Sequence, residues 1–166
     1  NSSLMVYDTG PGNGLDLERG WDMVGADIQP MIQATGLSPD YIVVSHADLD
    51  HAGGHKSLNE LYPKSSFLGS LPNQSPGFTD CRSPGFWSAG ILEFEILHPA
   101  FGLPYLGNDS SCVISVTTPG LSILLSGDIS RVVEQRLIDM GVAQHDIVTV
   151  PHHGSATSSS KSTRPP

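Results

Sequence analysis

The chain has 166 residues, a length that suits one domain with a substantial buried core. Its hydrophobic content of 38% excludes a disordered chain, and no apolar run is long enough to span a membrane, so it has no membrane span of its own. A net charge of -9 opposes broad electrostatic binding to nucleic acid, which needs Lys and Arg to displace counterions; a divalent metal can still supply positive charge locally, and its ligands add acidity.

In chain order, strands alternate with helices. "LMVYD" at 4–8 is a strand, followed by the Gly-rich "TGPGNG". Leu4 already lies in a strong strand and the chain ends just after a motif, so it is expected to start inside a sheet, as a fragment of a longer protein. From about Asp22 to Thr35 the spacing predicts a helix with Val24, Ile28, Met31 and Ile32 on one face, stopped by Gly36. "YIVVS" at 41–45 is a buried, all-apolar strand, and "HADLDHAGG" follows it. Residues 56–61 form a short helix ended by Pro63, and 65–68 another strand. The Pro-, Gly- and Ser-rich stretch 69–89 reads as a long loop, with Trp87 in the core. "ILEFEIL" at 91–97 alternates with period two, as a half-buried strand does, and 98–110 is a further loop. "CVISVTT" and "LSILLS" flank "PG" as a hairpin. "SRVVEQRLIDM" is a helix with Val133, Leu137 and Met140 on one face, and "DIVTV" is a last buried strand before "PHHGS". One domain is expected over 1–156, then a mobile polar tail over 157–166.

Three of these segments share a layout, an apolar strand and then a polar cluster: "YIVVS-HADLDH", "SILLS-GD" and "DIVTV-PHHG". Ligands at the C-terminal ends of neighbouring strands can converge on one edge of a sheet. His46 and Asp48 are two apart and Asp50 and His51 adjacent, so a tight loop can present two pairs of ligands to two metals. Asp128 can bridge them with its two oxygens, and His152 or His153 can close the second site. Two ions roughly 3.5–4 Å apart generate a hydroxide at neutral pH and stabilise charge on a phosphoryl or acyl oxygen. Each cluster alone also fits ordinary turn or surface chemistry; the three together, each after a buried strand, favour a metal site. His55 and His145 read as solvent-facing, and Gly53 and Gly54 as letting the backbone pass close to the metal loop. Cys81 and Cys112 fit free thiols in a reducing compartment or a bridge in an oxidising one.

"SHADLDHAGG", "LLSGDI" and "VPHHGS" resemble the metallo-β-lactamase superfamily. With "YDTGPG", "ILHP", "NDSSCVISV" and "PHHGSATSSS" they are most similar to the hydrolase-like C-terminal domain of ComEC-type DNA-internalisation proteins of competent bacteria. The resemblance covers nearly the whole chain. It implies an α/β fold, the αββα metallo-β-lactamase sandwich, here as a partial or excised domain. By motif it assigns His46 and Asp48 to site one, Asp50, His51 and His153 to site two, and Asp128 to the bridge. His152 becomes a phosphate or leaving-group contact, or the ligand in place of His153; adjacent histidines on one extended segment point to opposite sides, which favours one ligand over two.

Two departures bear on this assignment. The superfamily pattern is HxHxDH, and Asp48 stands where its second histidine would be. No histidine occupies the usual third site-one position; Asn108 and Asp109 lie in that region as site-one substitutes, while His98 belongs to the preceding strand end. An oxygen-rich site one favours Mn²⁺ over Zn²⁺, with one or two ions bound. The resemblance further implies a periplasmic or extracytoplasmic domain of an inner-membrane protein, whose membrane-embedded channel delivers single-stranded or duplex DNA. Such an oxidising location favours a Cys81–Cys112 bridge. The expected activity is metal-dependent phosphodiester hydrolysis of the strand that is not transported, with Asp128, Asp50 and His152 in the chemistry. The alternatives are a degenerate, non-catalytic DNA-guiding domain and a small-molecule thioester or lactone hydrolase of the same superfamily.

Overall fold

The computed structural model describes residues 2–12, 21–72 and 77–155; the expected tail at 157–166 lies outside the described residues. The chain divides into two compact units, Asn1–Asp80 and Cys81–Pro166.

Unit 1 is built on a parallel sheet of order β1-β2-β3-β4, formed by Met5–Tyr7 (β1), Tyr41–Val44 (β2), Ser66–Gly69 (β3) and Phe78–Asp80 (β4). Parallel neighbours cannot be joined by a tight turn, so helical crossovers separate the first three strands. α1 (Gln29–Thr35) lies between β1 and β2, and α2 (Leu49–Ala52) and α3 (His55–Leu61) between β2 and β3. The core joins Val24, Ile32, Ile42, Leu58 and Phe67, with Val6, Ile28 and Phe78 packed against it. The helix expected from Asp22 is not uniform. A π-type turn over Val24–Ile28 precedes α1, and the Ile28 amide bonds the Met23 carbonyl, five residues back. The wider turn shifts the helical phase. Val24 and Ile32 are therefore buried as expected, whereas Met31 is 71% exposed. Gly36, at φ 69°, stops the helix in the left-handed conformation that glycine adopts without penalty.

Unit 2 carries a sheet of order β5-β6-β7-β8-β9: Gly85–Ala89 (β5), Leu92–His98 (β6), Val113–Thr118 (β7), Leu121–Leu125 (β8) and Ile147–Val148 (β9). The first four strands pair antiparallel, and Thr118 opposite Leu121 closes the expected hairpin over Pro119 and Gly120. β9 runs parallel to β8, joined through α4 (Arg131–Asp139), which Ser130 caps by accepting from the Val132 amide. Val133 and Leu137 of α4 are buried with Val113 and Ile129. Cys81 and Cys112 are bridged, with Cα atoms 5.9 Å apart.

Four expectations are corrected. The stretch 69–89 is not one loop, since it holds β4 and β5; Pro, Gly and Ser conceal these short strands. Trp87 lies within β5, half-buried and stacked on Phe94 at 4.8 Å. "DIVTV" is not a buried strand: β9 is at a sheet edge, and Ile147, Val148 and Val150 are 49%, 50% and 67% exposed. Met140 caps α4 past its last turn and is 61% exposed, off the face of Val133 and Leu137.

Candidate metal centre

In unit 1, β2 ends by delivering Ser45 and His46, both fully buried. The chain then turns at Asp48, the N-cap of α2, and this short helix brings His51 back beside His46, with ring centroids 4.3 Å apart. The expected tight loop is thus partly helical. Asp8, just after β1 and at φ 64°, organises the pair. Its Oδ1 accepts from the Ser45 amide at 2.7 Å, and its Oδ2 meets Ser45 Oγ at 3.0 Å and His51 Nδ1 at 2.7 Å. Ser45 Oγ in turn meets His46 Nδ1 at 3.0 Å.

Hydrogen-bond inventory fixes the tautomers. A carboxylate only accepts, so His51 Nδ1 carries the proton it gives to Asp8. Ser45 gives its single hydroxyl proton to Asp8 and therefore accepts from His46 Nδ1. In the neutral rings the lone pair then lies on Nε2. His46 Nε2 faces Asp48 Oδ2 at 3.5 Å, and His51 Nε2 faces Asp50 Oδ2 at 3.7 Å. Such a lone pair set against a carboxylate is repulsive unless a proton or a metal cation lies between them. Two carboxylates facing two imidazoles, with the far ring nitrogens held by a third carboxylate and a hydroxyl, fit a divalent metal.

Backbone contacts secure α2 as well. The Thr9 amide and hydroxyl both donate to the His51 carbonyl, at 2.7 and 2.8 Å, and the Gly54 amide donates to Thr9 Oγ1 at 3.1 Å. A Cβ on Gly12 would lie 2.7 Å from the Gly53 carbonyl oxygen, so the close backbone approach expected at the glycine pair is present. Asp8 and Thr9 are functional positions that the sequence reading left without a role. The signal was available: "LMVY-DTG" repeats the layout of apolar strand and polar cluster.

In unit 2, Asp128 follows β8 and is 5% exposed. Gly127 turns the chain at φ 55°. The Asp128 amide donates to Ser111 Oγ at 3.0 Å, and the Ser126 amide to Thr149 Oγ1 at 2.8 Å. After β9 the chain enters a short turn in which His152, His153 and Gly154 are all left-handed, at φ 50°, 50° and 81°. This corrects the expected extended segment, so the alternation argument for choosing between the two histidines does not apply. His153 Nε2 lies 3.7 Å from Asp128 Oδ2, with its side chain 67% exposed. The His152 amide reaches the Gly127 carbonyl at 3.4 Å.

Asn108 and Asp109 sit in a 3-10 turn, Gly107–Ser110. The Asp109 carboxylate accepts from the Ser130 amide at 2.8 Å, and the Asn108 carbonyl from Ser111 Oγ at 2.7 Å. His98 ends β6 as expected, and its Nε2 donates to the Asp109 carbonyl at 2.8 Å. Burial holds the His98 pKa below its usual value, opposed by the Asp109 carbonyl and assisted by Arg136 and Arg82. Two other histidines are less exposed than expected. His55 bonds the Ala52 carbonyl through Nδ1 at 2.7 Å, and His145 is half-buried, with Nε2 2.7 Å from Ser115 Oγ.

The polar clusters follow strands, but only β2 is buried, and they do not share one sheet: His46 follows a strand of the first sheet, whereas Asp128 and His153 follow neighbouring parallel strands of the second. Among the described residues, no helix is long and apolar enough to cross a membrane.

Comparison with known proteins gives four findings. The family model of the metallo-β-lactamase superfamily matches residues 1–165. The chain is 33% identical over 163 residues to Recombination protein 2 of Haemophilus influenzae, covering 97% of this chain and 20% of that protein. It is 31% identical over 136 residues to Competence protein ComA of Neisseria gonorrhoeae, covering 80% and 19%. The chain thus spans about a fifth of the length of these relatives. The crystal structure of the metallo-β-lactamase fold protein YhfI from Bacillus subtilis matches with a TM-score of 0.51 and 12% identity, over 88% of this chain and 67% of that one.

Proposed function

Since the chain belongs to the metallo-β-lactamase superfamily, with relatives among ComEC-type competence proteins, we propose that it is a metal-dependent phosphodiesterase domain acting on DNA during uptake. The observation that carries this reading is the held pair His46 and His51, whose Nε2 atoms face the carboxylates of Asp48 and Asp50. The family motifs assign His46, Asp48, Asp50, His51, Asp128 and His153 as ligands. Their oxygen-rich donor set favours Mn²⁺ over Zn²⁺. When bound, one or two such ions would supply Lewis-acid polarisation of a phosphoryl oxygen.

The chain's own groups divide the remaining work. Asp8 and Ser45 hold both Nδ1 atoms, which leaves Nε2 as the ligating atom of each ring. Asp50 orients the donor set beside His51. His152 hands a proton to the leaving oxygen. The net charge of -9 gives weak intrinsic affinity for DNA, so delivery of the strand falls to the membrane-embedded part of a longer parent. The Cys81–Cys112 bridge supports a periplasmic or extracytoplasmic position, where disulfides persist.

One specific observation favours a second reading, a DNA-guiding domain without catalysis: Asp48 replaces a histidine, and the Asp109 carboxylate is engaged by the Ser130 amide. Labelled single- and double-stranded DNA incubated with Mn²⁺, Zn²⁺, Mg²⁺ or EDTA, beside Asp50→Ala, separates the two. Mn²⁺-dependent cleavage that disappears in Asp50→Ala is the expected result. No cleavage by fully metallated protein contradicts the phosphodiesterase reading, and turnover of thioester or lactone probes would replace it with small-molecule hydrolysis.

A further inference from the structure

The connection 99–112 between β6 and β7 grips the Asp128 loop at two points. Ser111 Oγ accepts from the Asp128 amide at 3.0 Å, and Asp109 Oδ1 accepts from the Ser130 amide at 2.8 Å. These contacts flank Ile129, which is 1% exposed. The grip is itself braced. Ser111 Oγ gives its proton to the Asn108 carbonyl at 2.7 Å, which leaves its lone pairs for Asp128. His98 Nε2 holds the Asp109 carbonyl at 2.8 Å. Cys112, the next residue after Ser111, is bonded to Cys81, and Ser111 and both cysteines are fully buried. A long connection without a regular element of more than one turn opens easily unless something ties its far end.

We infer that Ser111 is a positioning residue for Asp128 and that the Cys81–Cys112 disulfide is the tether that keeps Ser111 in place. This rests on the reading of Asp128 as a metal ligand. Reduction of the tether by a dithiol would take two electrons and two protons from the reductant, leave Cys81 and Cys112 as thiols, and convert the dithiol to its own disulfide. The grip on Asp128 then loosens and metal affinity falls.

The test reads two quantities, Mn²⁺ affinity by calorimetry and the hydrogen-exchange rate of the Asp128 amide in metal-free protein. The proteins are wild type, Ser111→Ala, Ser111→Thr and the paired Cys81→Ser, Cys112→Ser variant. Ser111→Ala is expected to weaken Mn²⁺ binding by about 10- to 100-fold, the effect typical of groups that orient ligands. It should also speed exchange at Asp128, while Ser111→Thr, which keeps the hydroxyl, restores both. The cysteine pair, and wild type reduced in place, should speed exchange at Asp128 with Ser111 intact. Unchanged exchange at Asp128 in the reduced protein overturns the tether, as does finding two free thiols in the purified chain. Wild-type affinity in Ser111→Ala overturns the positioning role. If the wild type binds no Mn²⁺, the metal reading fails by itself, and the exchange rates still judge the tether.

Discussion

The two units hold their candidate ligands by different means. In unit 1 the imidazoles are fixed through their side chains: Asp8 and Ser45 take both Nδ1 atoms, and the rings lie on a buried strand end and a short helix. In unit 2 the backbone is fixed, by Ser111 at Asp128 and Thr149 at Ser126, while the His153 side chain is largely exposed on a left-handed turn. Unit 1 is therefore preorganised at the ligand atom, and unit 2 at the loop. A left-handed conformation at two consecutive histidines is one that non-glycine residues avoid, so the turn persists only while its surroundings impose it.

This contrast can be broken in several ways. The largest effect should come from unit 2's covalent tether. The bridge spans a sequence separation of 31, and opening it should lower stability by about 3–4 kcal/mol in urea unfolding. A loss below about 1 kcal/mol would show that the loop is held without it. Next comes unit 1's carboxylate. Asp8→Asn should weaken metal binding by about 10- to 100-fold, because the amide would set an NH2 donor against either the Ser45 amide or the serine and histidine donors, all of which Asp8 accepts with its two oxygens. Thr149→Val, which touches only backbone support in unit 2, should weaken it less; the reverse order would sink the distinction. The smallest effect concerns pH. Burial lowers the folded pKa of His98 below the ordinary histidine value of 6.5, so the unfolded chain binds the proton first. The contribution is complete above pH 6.5 and is lost as pH falls toward the folded pKa. Melting temperatures between pH 8 and about 5.5 should decline on the acid side, and His98→Gln should flatten that slope.

The difference between the units also explains what could be read in advance. "YIVV" and the alternating "ILEFEIL" bury side chains in the period of a strand, so β2 and β6 stand out in the sequence. The ligand loops stand out for the same reason, as polar clusters that end such strands. β4 and β5 are hidden, because edge strands in a Pro- and Gly-rich stretch bury too little to leave a pattern. The exposure of Met31 accompanies a π-type turn over Val24–Ile28, which no periodicity reveals. The work of Ser111 was out of reach because it acts on a residue distant in the chain, Asp128. Spacing within a motif carries no trace of such partners.

We propose that the fixed histidines of unit 1 and the loop carboxylate of unit 2 are metal ligands. The most direct test is calorimetric titration of the whole chain with Mn²⁺ and Zn²⁺, beside His51→Ala and Asp128→Ala, with circular dichroism to confirm folding. One or two ions bound per wild-type chain, with binding lost or reduced in each folded variant, is the predicted result. Equal binding in the variants, or none in folded wild type, would contradict the account.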